Sequence, residues 1–84
     1  MAQTLPLDDL PIGTPAQIVA VDWQGLASEE SLRLHSLGFE PGSKVAVAYR
    51  GVFGGRDPLA IRIGRMTVAL RRSHARAVRV EPLG

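Results

Sequence analysis

Residues 28–47 read SEESLRLHSLGFEPGSKVAV, and a change of period within them decides the fold. Ser28 is placed to cap a helix whose first turn carries Glu29 and Glu30, since a hydroxyl accepts from free N–H groups and carboxylates suit the positive helix end. Leu34 and Leu37 stand three apart on one face, so the buried stripe is narrow and the helix short. Gly38 suits the left-handed conformation that closes a helix, and Pro41 and Gly42 prevent its continuation. From Lys44 the period becomes two, with Val45, Val47 and Tyr49 on one side and Lys44, Ala46, Ala48 and Arg50 on the other. A short helix therefore turns directly into a strand.

Downstream, residues 51–58 (GVFGGRDP) form a glycine-rich loop carrying Val52 and Phe53. It lacks the lysine and hydroxyl in fixed order that a phosphate-binding loop needs, so it reads as a turn. Leu59, Ile61 and Ile63 then alternate with Ala60 and Arg62, and after Gly64 and Arg65 the residues Met66, Val68 and Leu70 alternate again. A two-residue loop pairs Ile63 with Met66, Ile61 with Val68 and Leu59 with Leu70, which puts these apolar side chains on one face. Glycine first in the loop fits a type II′ turn. Ser73 is placed to cap a single helical turn through Ala75, and Val78 and Val80 flank Arg79 in a last strand ended by Pro82.

Upstream, Ala16–Val21 alternates as strand one, with Ile18 and Ala20 opposed to Gln17, Val19 and Val21. Before it, Leu5, Leu7, Leu10 and Ile12 are anchors in a lead-in broken by Pro6, Pro11 and Gly13, and Asp8 and Asp9 read as its solvated part. Five short strands and one helix are best closed into a small barrel, because closure removes unpaired edges. Its expected core is Ile18, Leu34, Leu37, Val45, Val47, Ile61, Ile63, Val68, Leu70, Val78 and Val80.

A chain of 84 residues is expected to form one domain over residues 1–84, burying about 60–65% of its unfolded surface. Hydrophobic residues at 45% and charged residues at 21% exclude a disordered chain. The absence of cysteine excludes disulfides and thiolate chemistry, no apolar run approaches the roughly 20 residues that span a bilayer, and the acidic start is wrong for a signal peptide. The cytoplasm is the expected location. Charge is uneven: residues 1–42 hold one base, Arg33, against six acids, whereas residues 43–84 hold nine bases against two acids. Because the arginines alternate with apolar residues, they read chiefly as solvated strand faces.

No spacing proposes a catalytic triad, and the two histidines, His35 and His74, lack the neighbours of a metal site, so no catalytic, cofactor or metal residues are expected. What remains is a binding module. Trp23 and Leu26 in the loop DWQGLA, with Val52 and Phe53 in the glycine-rich loop, are the apolar residues expected at loop tips, unless they cap the barrel core. Nucleic-acid binding is the rival reading for a small basic barrel, but among its strands only Tyr49 offers a base-stacking ring.

The stretch Arg33-Leu34-His35-Ser36-Leu37-Gly38-Phe39-Glu40-Pro41-Gly42 resembles the RLxxLGxxPG element of the FeoA family, small cytosolic accessory proteins of bacterial ferrous iron uptake. Asp57-Pro58-Leu59, Ala69-Leu70-Arg71, Ala75 and Val78-Arg79-Val80 resemble that family's remaining landmarks in the same order. The resemblance covers nearly the whole chain, fading before Leu5 and across residues 23–31. It implies a five-stranded SH3-like barrel with one short α-helix, non-catalytic and without cofactor, working beside the membrane transporter FeoB, whose cytoplasmic part is a GTPase. On that reading Trp23, Leu26, Val52 and Phe53 dock on the GTPase part, with Arg56 and Arg72 assisting by charge. The same domain type ends iron- and manganese-dependent repressors, so a nucleic-acid-binding barrel or a stand-alone relative of the repressor module are the alternatives. This chain lacks the helix-turn-helix and metal-site domains of such a repressor.

Overall fold

The change of period at Gly38 appears as a helix, α1 (Ser28–Leu37), turning into a strand, β3 (Lys44–Arg50), in a computed structural model that describes residues 3–51 and 57–83. Gly38 takes φ 92° and its N–H donates to the carbonyls of Leu34 and His35, while Phe39 N–H donates to Leu34 at 3.0 Å. These bonds satisfy carbonyls that the ending helix leaves free. Ser28 does not cap α1: it is the first helical residue, and the capping position is held by Ala27, whose side chain has no acceptor. The entry is held instead from the Ser31 hydroxyl, which donates to the Trp23 carbonyl at 3.3 Å.

Among the described residues six strands form one antiparallel sheet, where five were expected. They are β1 (Leu5–Pro6), β2 (Ala16–Val21), β3, β4 (Leu59–Ile63), β5 (Met66–Leu70) and β6 (Val78–Pro82), in the order β1-β6-β2-β3-β4-β5. The additional strand, β1, is two residues long and exists only through its pairing with β6, which no local period announces. Between β4 and β5 the register is the expected one, Ile63 opposite Met66, Ile61 opposite Val68 and Leu59 opposite Leu70. Gly64 has φ 59° while Arg65 has no positive φ, which fits type II′ rather than type I′. Met66 is nevertheless 45% exposed, although its partner Ile63 is buried in the core.

Two bulges revise the expected faces. The β2–β6 register shifts between Ile18 and Ala20, so Ala20 is exposed and Val21 packs against the core. The β3–β4 register shifts between Val47 and Tyr49, leaving Tyr49 52% exposed. An extra residue in one strand flips every later side chain to the other face.

Nine of the eleven expected core residues are buried; Leu37 and Val68 are half-buried against the cluster. The core also takes Leu7, Leu10, Ala16, Leu26, Phe39, Leu59 and Ala75. Leu7 and Leu10 show that the lead-in is part of the fold. Asp8 corrects the solvated reading directly: its side chain is fully buried in the 3-10 turn Leu7–Asp9, where Oδ2 accepts from Arg76 at 3.0 Å and lies 3.7 Å from Arg72. Arg50 donates to the carbonyls of Asp8 and Leu10, satisfying backbone acceptors with a charged donor. Between them, this turn and the short helix α2 (Arg72–Ala75) join the β1 and β5 sides of the sheet. Ser73 does not cap α2; the Arg72 N–H donates to the Asp57 carboxylate at 2.9 Å.

Candidate partner-binding surface

Trp23 opens a 3-10 turn, Trp23–Gly25, started by Asp22, whose carboxylate accepts from Gly25 N–H at 3.3 Å. The indole is half-buried against the core and stacks on the His35 ring, with centroids 3.7 Å apart and planes 14° from parallel. His35 is exposed, so the stack stands at the surface of α1. Leu32 lies three residues before His35, hence on the same helix face, and is 68% exposed. Trp23, Leu32 and His35 thus make a small apolar and aromatic face near the exposed acids Asp22 and Glu29.

The other residues expected at a docking surface do not join it. Leu26 is 9% exposed and belongs to the core, since the turn after Trp23 folds it inward, so it offers nothing to a partner. Arg72 is engaged within the fold by Asp57 at its N–H and by Asp8 at its guanidinium. Val52, Phe53 and Arg56 lie outside the described residues. Leu32 and His35 were missed by the sequence reading. The signal was there, because Leu32 falls off the Leu34–Leu37 stripe and is left facing outward.

His74 is not an isolated surface histidine. Its Nδ1 lies 3.0 Å from Glu30 Oε2, which also accepts from Arg33 at 2.9 Å, and the second Arg33 amine donates to the Ala69 carbonyl at 2.7 Å. One carboxylate therefore ties α1 to α2, and one guanidinium ties α1 to the outer edge of β5. Such an edge carbonyl, once occupied, no longer invites a foreign strand. Among the described residues no three histidine or acidic side chains converge as metal ligands. Asp8 and Asp9 diverge, the first buried and the second exposed, so they do not form an acid–base pair.

The FeoA domain family model matches residues 5–82. Among solved structures, the chain is 34% identical to the zinc-complexed FeoA of Stenotrophomonas maltophilia, described as a procaryotic SH3 domain protein, covering 95% of this chain and 88% of that one with TM-score 0.71. It is 26% identical to the FeoA protein of Chlorobium tepidum, covering 95% of this chain and 71% of that one with TM-score 0.81. A manganese-dependent transcriptional repressor shares the fold alone, at 20% identity and TM-score 0.80 over 99% of this chain and 44% of that one. No curated protein sequence matches. The barrel is the SH3-like one that the resemblance implies, with six strands in place of five. Matched from Leu5 to Pro82 and alike in fold to FeoA proteins, the chain belongs to the FeoA family.

Proposed function

We propose that this chain is a non-catalytic, cytoplasmic accessory protein of ferrous iron uptake that docks on the cytoplasmic GTPase part of the transporter FeoB. The observation that carries the reading is the family match over residues 5–82, joined to a 34% identical FeoA for which a role as bacterial ferrous iron transport activating factor has been suggested. Among the described residues the docking face is the one built on Trp23, Leu32 and His35. An aromatic anchor held on a rigid helix loses little freedom on binding, and such anchors supply most of an interface's free energy. The nucleic-acid and repressor alternatives are not favoured, since the repressor likeness extends to the fold alone.

The test is calorimetric titration of the purified chain into the isolated GTPase part of FeoB, with Trp23→Ala and Leu32→Glu as variants. Each variant is expected to weaken binding by on the order of 2 kcal/mol while leaving the circular dichroism of the fold unchanged. No binding by the parent chain, or undiminished binding by both folded variants, overturns the reading. Anaerobic titration with ferrous ion is expected to give weak binding at most, and tight stoichiometric uptake overturns the expectation that the chain holds no metal.

A further inference from the structure

Among the described cations Arg50 and Arg79 donate to backbone carbonyls and Arg71 makes no ion pair. Arg33, Arg72 and Arg76 each meet a carboxylate, from Glu30 or Asp8. Lys44, Arg62 and Arg65 make no ion pair with any described residue. These three stand together around the β4–β5 turn. In the β3–β4 ladder Val45 faces Ile63 and Ala46 faces Arg62, so Lys44 and Arg62 are diagonal neighbours on the outer face, and Arg65 occupies the turn itself. Like charges placed side by side repel, and no ion pair among the described residues offsets this.

Two open grooves meet at Lys44 and Gly64. One, of about 500 Å³, has Lys44 and Arg65 on its rim and Leu37, Ile63 and Met66 among its apolar lining. The other, of about 350 Å³, places Arg62 and Lys44 beside Pro15, Val45 and Ala46. Among the described residues no acidic and no aromatic side chain lines either groove. Met66 is 45% exposed, and an unbranched thioether repacks readily around an incoming side chain.

From this arrangement we infer that the β4–β5 end of the barrel is a second docking site, which takes an acidic protein segment inserting an apolar side chain between Leu37 and Met66. Charge complementarity selects the occupant, since three unneutralised cations frame an apolar floor. The concave shape favours a peptide segment over a flat lipid surface, and the described lining offers no aromatic ring for the stacking that single-stranded nucleic acid needs. The site is separate from the Trp23 face and does not depend on it, so the domain can hold two partners, or two parts of one, at once.

The experiment is a fluorescence-anisotropy titration with a labelled octapeptide in which a leucine and a phenylalanine stand among glutamates. Saturable binding is expected, and Lys44→Glu combined with Arg65→Glu is expected to weaken it by roughly tenfold or more. Arg71→Glu combined with Arg79→Glu makes the same change in net charge elsewhere and is expected to leave affinity within about twofold. Circular dichroism establishes that both double variants fold. Met66→Ala is expected to weaken binding without changing its salt dependence. Absence of saturable binding, or equal weakening by the two charge reversals, overturns the inference. So does saturable binding of phosphatidylserine vesicles or oligothymidylate that the peptide fails to displace.

Discussion

The β4–β5 hairpin and the segment from Leu5 to Gly13 both send side chains to the centre of the core, yet they are held there by opposite means. Ile61 is buried by pairing with a strand that follows two residues after its own. Leu7 and Leu10 are equally buried, but their backbone is fastened by Arg50, 42 residues from Asp8, and the Asp8 carboxylate between them by Arg76, 68 residues from it. The difference teaches that equal burial does not imply equal legibility or equal tolerance of change: the hairpin carries its own instructions, and the lead-in borrows them.

The strongest test of that parity is truncation of one residue from each region. Leu7→Ala and Ile61→Ala are each expected to cost about 2–5 kcal/mol in denaturant unfolding, because both leave a cavity in a closed core. If Leu7→Ala costs less than about 1 kcal/mol, the lead-in is an appendage rather than a wall of the barrel. Next in size is the clasp. Arg76→Ala is expected to cost about 1–3 kcal/mol, since it strips the nearer partner from a buried carboxylate, whereas Asp9→Ala, at an exposed side chain, should stay within about 0.5 kcal/mol. Equal effects at Asp9 and Arg76 would mean that the buried pair fastens nothing.

Smaller still is the Trp23–His35 stack. His35→Ala should lower stability by about 0.5–1.5 kcal/mol, the range for aromatic stacking beyond burial, and should quench or shift the indole fluorescence change on unfolding. An unfolded His35→Ala variant would assign the stack to the core. Smallest of all is Tyr49→Ala, expected within about 0.5 kcal/mol because the bulge turns the ring outward. A loss of several kcal/mol there would restore Tyr49 to the face that strict alternation assigns it.

What was legible follows the same division. The hairpin register, the end of α1 at Gly38 and the starts of β2 and β3 were readable because each is written in neighbouring residues. The bulges were not, since Val19 and Ala48 are ordinary strand residues and only the partner strand reveals that one is extra. Asp8 and Asp9 are chemically identical neighbours, and the distant Arg72 and Arg76 converge on the buried one while the other stays exposed. Of the expected docking residues, Trp23 stays at the surface, while Leu26 turns inward, because a loop without a period does not say which way its side chains face.

The position of β6 has a consequence for the order of assembly. It follows the other strands in sequence, yet it lies inside the sheet between β1 and β2, with Val80 opposite both Leu5 and Ile18. The β3–β4 and β4–β5 hairpins close short loops and can form early, whereas β6 must find two strands from the far end of the chain, at a much larger loop-closure entropy. Until it does, β1 has no neighbour at all, and β2 keeps only its short pairing with β3. Closing the sheet therefore waits on β6, and a nascent chain whose β6 is still in the exit tunnel carries an open, apolar half-barrel in need of protection.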